Sequence, residues 1–211
     1  MDLVLREGWH RPSSDVPLWR DLDVTRFALL LSDRAIYFSR LGLLDGVGVG
    51  APSKVVDGTY VSNWHQAPAE SMARWDAYAA RGAFVALKTT LDRIQYALKN
   101  IDTEVIAGKV AHRDFTLSGA PADRTDLDGV LFYSRPALAH EQEVRLYTSL
   151  PGGQKPRAGV SVRIDLPDAI DEVVISPRAD LATLRAVRAL GSTYAARLPV
   201  RPSTLLDTPT R

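Results

Sequence analysis

Short strand-like segments interleave irregularly with helix-like segments along this chain, and their order constrains the fold more than any other feature. Helical patterns occur near residues 25–31, 68–80, 90–100 and 180–190. Strand patterns occur near residues 35–39, 58–64, 83–87, 105–115, 130–133, 141–148, 160–164, 173–175 and 197–200. The two kinds do not alternate regularly, as a doubly wound parallel sheet would require. The sequence therefore predicts an α+β fold, with a single mixed, mainly antiparallel sheet and a few packed helices.

Length and composition favour one domain. The chain has 211 residues, of which 45% are hydrophobic, and a single core supports roughly 100–200 residues. Repeats and linkers are absent from the sequence. We expect residues 1–211 to form a single domain, with an irregular N-terminal segment at 1–18 and a frayed tail at 204–211.

Charge and residue usage exclude several classes of protein. The net charge of +1 argues against a broad basic surface for nucleic acid. The chain has no cysteine, which excludes disulfides, cysteine-type zinc sites and thiol nucleophiles. The longest apolar run, 27–31, is too short for a membrane helix, and no targeting signal is visible. We expect a cytoplasmic protein without a membrane partner. Of the 26 basic residues 21 are arginine, which indicates mainly a GC-rich coding bias.

A charged strand near residue 143 is the first candidate site. Alternate residues of a strand share a face, so Glu141, Glu143 and Arg145 are expected on one side and Val144 and Leu146 on the other. One interpretation is a solvated strand face. The other is a pair of acids tuned by a guanidinium, which could stabilise a cationic transition state or hold a hydroxyl.

A helix near residue 75 is the second candidate. Ser71, Trp75 and Tyr78 have helical spacing and share one face. They are either a packing stripe or a wall for a flat ring. The glycine-rich segment at 44–53 is either a surface loop or a lid, since it matches no phosphate-binding fingerprint.

Metal chemistry has little support in the sequence. The four histidines lack the spacing of metal ligands, and we expect no metal cofactor. A hydrolase that binds magnesium or manganese through carboxylates is kept as a minor alternative. Its candidate ligands are Asp45, Glu70, Glu141 and Glu143.

Several short segments, taken in order, resemble the bacterial family known as domain of unknown function 2971. That family has an aromatic-arginine start, a Tyr-Phe-Ser strand before an acidic loop, a Cys-Trp strand end, a Ser-x-x-Met-Trp-x-x-Tyr helix and a late Glu-x-Glu-x-Arg strand. The matching residues are Trp19-Arg20, Tyr37-Phe38-Ser39 with Asp45-Gly46, Asn63-Trp64, 71–78 and 141–145, within about residues 17–204. Asn63 stands where the family usually has cysteine, and two residues separate Met72 from Trp75.

The order of three polar residues is also similar to that of the Arg-Ser-Glu type of ADP-ribosyltransferase. Arg20, Ser39 and Glu143 stand in that order, with Arg26 as the alternative arginine. The resemblance implies that the arginine binds the phosphates of NAD bidentately and that Ser39 orients Glu143. It further implies that Glu143 bonds the nicotinamide ribose, and that Glu141 positions or deprotonates the acceptor.

These patterns favour two functions about equally. The first is an ADP-ribosyltransferase or NAD glycohydrolase, a toxin or defence effector, with NAD as substrate and, for a transferase, a macromolecular acceptor. Trp75 or Tyr78 would stack on nicotinamide, and Arg145 would contribute to nucleotide binding. The second is a non-catalytic ligand-binding or sensory module, in which the charged residues form surface ion pairs of small energetic value.

Overall fold

The computed structural model describes residues 3–6, 10–44, 51–79, 82, 84–99, 103–114, 127–150 and 155–207. Backbone contacts group the chain into two compact units. The first unit comprises residues 1–13, 36–66 and 98–162, and the second comprises 14–35, 67–97 and 163–211. The single domain expected from the sequence stays a prediction.

Strands and helices are both short. The strands are β1 (Leu3–Leu5), β2 (Leu18–Leu22), β3 (Ala35–Arg40), β4 (Thr59–Gln66), β5 (Val85–Thr89), β6 (Val105–Lys109), β7 (Ala111–His112), β8 (Tyr133–Ser134), β9 (Glu143–Ser149), β10 (Gly159–Arg163), β11 (Glu172–Ile175) and β12 (Val200–Pro202). The α-helices are α1 (Val24–Asp33), α2 (Ser53–Gly58), α3 (Met72–Ala79), α4 (Leu91–Leu98), α5 (Leu127–Leu131), α6 (Leu166–Ala169) and α7 (Leu181–Tyr194). Two 3₁₀ turns span Leu41–Leu43 and Pro136–Glu141.

The first unit is built on β9, which pairs with β4 on one side and β6 on the other, both antiparallel. Strand β3 continues the sheet beyond β4, and β10 pairs with β3. Strand β1 runs parallel to β6 at the other edge. Strands β7 and β8 form a separate parallel pair. The eight-residue β4 and seven-residue β9 therefore set the register of this unit.

A hydrophobic cluster covers one face of this sheet around Phe132. Phe132 packs with Val61, Leu131 and Tyr147, all of them buried. Gly108 makes this packing possible, because a Cβ at that position would lie 2.5 Å from the Phe132 ring. The α5 segment therefore lies directly against the sheet face that carries Glu143 and Arg145.

In the second unit the strands β2, β5, β11 and β12 pair in that order. The β2–β5 and β5–β11 pairs are antiparallel, and β12 runs parallel to β11. Helix α3 packs on one face, where Trp75 joins Trp19 and Val174 in a buried cluster. Helix α1 packs against β2 and α7. Asp180 caps α7, since its carboxylate accepts a 2.7 Å bond from the Thr183 N–H.

The predicted class is confirmed: the protein is α+β, with mixed, mainly antiparallel strands and a few packed helices. Residues 130–131 correct one prediction, because they end α5 instead of starting a strand. Gly191 lies inside α7, where a Cβ would press on Val200. Most of the 44–53 and 118–128 segments lies outside the described residues.

The N-terminal segment is more regular than expected. It contains β1, and β2 begins at its end, because β1 pairs with β6 and β2 pairs with β5. Within the described ranges, no helix has the length and apolar character to cross a membrane.

Replacing Gly108 by alanine tests the packing of Phe132. The added methyl group has no room against the ring, so we expect the free energy of unfolding to fall by about 1–3 kcal/mol, measured by urea denaturation. Gly58→Ala is the matched control, since nothing lies within 4 Å of a Cβ built there; it should be neutral or slightly stabilising. Equal stability of the two variants would contradict this packing.

Candidate active site

The carboxylate of Glu143 lies at the first residue of β9. Its side chain is 12% exposed, and Oε2 accepts a 2.7 Å hydrogen bond from Nη2 of Arg145. Residues two apart on a strand share a face, so this ion pair runs along the strand. Within the described part of the chain, Oε1 of Glu143 has no hydrogen-bond partner. Arg145 therefore fixes one carboxylate oxygen and leaves the other accessible for a further bond.

Arg145 is buried although it carries a charge, with 3% of its side chain exposed. Its Nη1 donates to the carbonyl of Leu131, the last residue of α5. The last carbonyls of a helix lack intrahelical partners and carry partial negative charge, so they suit a guanidinium. The sequence predicted that Arg145 contributes to nucleotide binding. That role stays a prediction; the described contacts of Arg145 are with Glu143 and with the Leu131 carbonyl.

Two side chains of β4 lie beside this ion pair on the same sheet face. In the β4–β9 register His65 is directly opposite Glu143, and Asn63 is directly opposite Arg145. Such pairs place their Cβ atoms about 5 Å apart. His65 is buried, and Oδ1 of Asn63 is buried without a hydrogen-bond partner. The sequence patterns gave neither residue a role, because only the strand register reveals their positions.

A tight turn delivers the chain into β9. A 3₁₀ turn ends at Glu141, and Gln142 adopts a left-handed conformation with φ 44°. The carbonyl oxygen of Glu141 accepts a 2.5 Å bond from Nδ1 of His65, and the carbonyl of Gln142 accepts a 3.0 Å bond from the Gln66 N–H. The expected strand from 141 thus begins only at 143. Glu141 is held by its backbone next to Glu143, although it does not share the strand face.

The register does not bring Ser39 to Glu143. Ser39 pairs with Val61 of β4, and Val61 pairs with Tyr147 of β9. Glu143 lies four residues along β9 from Tyr147 and two strands away from Ser39. At typical strand spacings their Cα atoms are roughly 16 Å apart, which is too far for a hydrogen bond. His65 occupies the cross-strand position beside Glu143.

Arg20 lies in β2 of the second unit and faces away from Trp19 and Asp21, since alternate residues point to opposite faces. Burial lowers the pKa of Arg20 to about 10, and the positive charge of Arg26 adds to this effect. An anion beside Arg20 would offset this repulsion and favour its charged form. Arg20, with Arg26 as the alternative, stays the predicted phosphate-binding residue.

Trp75 and Tyr78 lie on α3. This helix packs on the Trp19 face of β2, whereas Arg20 points to the other face. Trp75 is buried against Trp19, and the guanidinium of Arg74 lies 4.7 Å from the centre of the Tyr78 ring. Arg74 also forms an ion pair with Asp21, on the Trp19 face of β2. The packing stripe, one of the two alternatives for this helix, describes the observed contacts of Trp75.

The remaining acidic candidates are in ion pairs or outside the described residues. Glu70 binds Arg201 at 3.1 Å, and Arg201 also binds Glu172 at 2.6 Å. Asp45 lies outside the described residues. Among the residues that the structure describes, no three His, Asp or Glu side chains come together as a metal-ion site.

Comparisons with known proteins gave one structural likeness. No family model matches the chain, so the resemblance to the domain of unknown function 2971 has no support from one. No curated protein matches it either. Among solved structures, the structure of Thermus sp. 2.9 DarT in complex with NAD+ is similar to the structure of this chain. The identity is 10% and the TM-score 0.45, over 91% of this chain and 96% of that one.

A double-mutant cycle tests the Glu143–Arg145 pair. Arg145→Met leaves a recessed carboxylate and the Leu131 carbonyl without their donor, so we expect a loss of about 3–5 kcal/mol in unfolding free energy. Adding Glu143→Gln should restore part of this loss, because the unpaired carboxylate is then gone. Chemical denaturation measures all three variants, with exposed Arg188→Met as the control. Strictly additive losses would show that the two side chains do not interact.

The pH dependence of stability tests the ion pairs of Glu172. Hydrogen bonds from Arg201 and Lys88 hold the pKa of Glu172 below its usual range. A carboxylate with a lowered pKa stabilises the fold above its unfolded pKa, and this contribution is lost as the pH falls through the folded value. Glu172→Gln should therefore cost about 1–2 kcal/mol at pH 7, and this cost should shrink steadily as the pH falls below the unfolded pKa of the glutamate. Half-exposed Asp171 is 3.6 Å from Lys88, so Asp171→Asn should cost little across this pH range. A cost of Glu172→Gln that does not depend on pH would contradict this assignment.

Proposed function

We propose that this protein is an NAD-consuming enzyme, an ADP-ribosyltransferase or NAD glycohydrolase, in which Glu143 stabilises the transition state. One observation carries the proposal: a recessed carboxylate that a buried arginine holds at 2.7 Å through one oxygen while the other oxygen lacks a described partner. A surface ion pair would satisfy neither condition, because both side chains would be solvated and mobile.

The reaction needs a fixed negative charge more than it needs a strong base. The bond from C1′ of the nicotinamide ribose to the ring nitrogen breaks, and nicotinamide leaves with the electron pair. The ribose becomes cationic at C1′ and O4′ until an acceptor oxygen bonds to C1′ and loses its proton. A preorganised carboxylate stabilises this positive charge without having to reorganise during the reaction. Glu143 supplies such a group, since Arg145 fixes its orientation.

The free oxygen of Glu143 suits a ribose hydroxyl. A carboxylate oxygen accepts a hydrogen bond from an O–H group, and this bond strengthens as positive charge develops on the sugar. Arg145 contributes indirectly, by fixing Oε2 through a charge-assisted bond. The resemblance to the Arg-Ser-Glu type gave Ser39 the role of orienting the glutamate. In our proposal Arg145 and His65 take that role.

The acceptor decides between transfer and hydrolysis. Glu141 lies two residues before Glu143, and His65 fixes its backbone carbonyl. We place Glu141 at the acceptor, where its carboxylate would take the proton that the attacking hydroxyl loses. Water as acceptor gives free ADP-ribose, and a macromolecule as acceptor gives an ADP-ribosylated product. Either activity would suit a toxin or a defence effector.

A nicotinamide-release assay tests the proposal. The purified protein is incubated with NAD in excess chelator, and nicotinamide is quantified by chromatography. We expect Glu143→Gln to lower the rate about 100-fold or more, in line with the loss of one preorganised electrostatic group. Exposed Glu104→Gln is the control for removing an acid and should retain wild-type activity. Glu141→Gln should release nicotinamide but transfer less ADP-ribose to added acceptors.

The non-catalytic binding module gives a different result in the same assay. It requires that the wild-type protein release no nicotinamide and that the Glu143→Gln variant behave identically. It also requires that expression of either protein leave the growth of a host cell unchanged. Loss of activity in excess chelator alone would point to the metal-dependent alternative, since carboxylates suit magnesium or manganese.

A further inference from the structure

An unpartnered buried acceptor lies next to the proposed catalytic group. Oδ1 of Asn63 is buried and makes no hydrogen bond, on the sheet face that carries Glu143 and Arg145. In the register Asn63 is directly opposite Arg145 and diagonal to Glu143, which places its Cβ roughly 7 Å from that of Glu143. The gap between the Asn63 side chain and the Glu143 carboxylate is therefore comparable to the width of a small ligand ring.

Packing gives no reason for an amide at this position. A buried acceptor without a partner destabilises the folded state, and an apolar side chain of similar shape avoids that loss. The same strand shows the usual solution on its other face, where the Ser62 hydroxyl accepts a 3.0 Å bond from the Trp64 indole. Asn63 lacks such a partner, so its carboxamide oxygen keeps the capacity to accept a hydrogen bond from a ligand donor.

We propose that Asn63 is a specificity-determining residue whose carboxamide oxygen accepts a hydrogen bond from the carboxamide N–H of nicotinamide. This inference rests on the proposed function. Glu143 bonds the ribose, and the leaving ring is attached to that same ribose, so a donor on the ring comes within reach of a diagonal neighbour of Glu143. The ribose hydroxyls are closer to Glu143 itself, and the adenine amine is at the far end of the dinucleotide.

The proposal defines a substrate class: dinucleotides whose pyridine ring carries a carboxamide. The analogue with a carboxylate at that position, nicotinic acid adenine dinucleotide, replaces the N–H donor by a second acceptor. That carboxylate oxygen would face Oδ1 of Asn63. The two acceptor oxygens would repel each other, and Oδ1 would stay without a hydrogen bond. A site that hydrogen-bonds one substrate group discriminates strongly against an analogue that lacks it.

The test compares the two dinucleotides in the wild-type protein and in Asn63→Leu. Release of nicotinamide or nicotinic acid gives kcat/KM for each, and thermal unfolding gives Tm. We expect the wild type to prefer NAD at least tenfold. Asn63→Leu should lower kcat/KM for NAD about tenfold, as expected for one lost hydrogen bond, and raise kcat/KM for the analogue, because the oxygen that repels its carboxylate is gone. Its Tm should stay equal or rise, because an unpaired buried acceptor is gone.

A control variant and a second substitution keep the outcomes distinct. Ser62→Ala removes the acceptor on the opposite face, so its Tm should fall while its preference for NAD stays. If Asn63→Leu does not fold, Asn63→Ser replaces it and should show the same loss of preference.

Three results would overturn the inference. An unchanged preference in an active Asn63 variant refutes it while the proposed function stands. A fall in Tm of Asn63→Leu with unchanged preference shows that Asn63 is structural, bonded for instance to the Arg145 guanidinium. Absence of product from both dinucleotides in the wild type refutes the proposed function and this inference together.

Discussion

Burying the guanidinium of Arg145 requires acceptors, and two elements of the first unit supply them. Helix α5 ends with the Leu131 carbonyl at Nη1, and the first residue of β9 places the Glu143 carboxylate at Nη2. Removing one partner of a buried ion pair costs several kcal/mol, because the other charge is left desolvated. The packing of α5 on the sheet and the conformation of Glu143 therefore depend on the same side chain.

Uncharged residues around the Glu143–Arg145 pair let the segment that ends α5 pack closely on the sheet. Gly108 pairs with Arg145 across the β6–β9 ladder and lets the Phe132 ring approach the sheet. Tyr147, next but one along β9, packs at 6.0 Å from Phe132 and accepts a 2.9 Å bond from Arg6. The segment around Leu131 and Phe132 is thus held against this face of β9 at two positions, Arg145 and Tyr147. Glu143, at the entrance to the strand, lies at the margin of this cover, where a carboxylate can be both fixed and accessible.

Sequence patterns predicted the local elements better than their pairing. The strands around Ala35 and Val173 and the helices α1, α4 and α7 were recognisable from their residues, because periodicity and capping are local. The alternation of Glu143 with Arg145 on one face was also recognisable. By contrast, residues 130–131 look like a strand and form the end of a helix, since hydrophobic runs this short fit either structure. The β1 and β2 segments became strands only through partners distant in the sequence.

The site shows the same limit more sharply. The order Arg20, Ser39, Glu143 is a one-dimensional match, whereas catalysis depends on which residues are neighbours across strands. The register makes His65 and Asn63 the neighbours of the Glu143–Arg145 pair and separates Ser39 from it. Local sequence patterns do not reveal this register, because it depends on which faces of β4, β6 and β9 are buried together.

Two of the buried polar atoms without hydrogen-bond partners lie at the candidate site, and others of the same kind lie elsewhere, as at Arg40, Arg74 and Arg93. Nε of Arg145 and Oδ1 of Asn63 are both buried without partners, and their residues are directly opposite each other. A fold selected for stability alone would fill such a position with apolar side chains or complete the hydrogen bonds. Here the unmet hydrogen-bonding capacity lies beside a carboxylate with one oxygen to spare. A polar ligand can supply the hydrogen-bond partners that the protein does not give to these two atoms. Under the proposed function, the ligand that binds Glu143 would also supply the donor that Asn63 lacks.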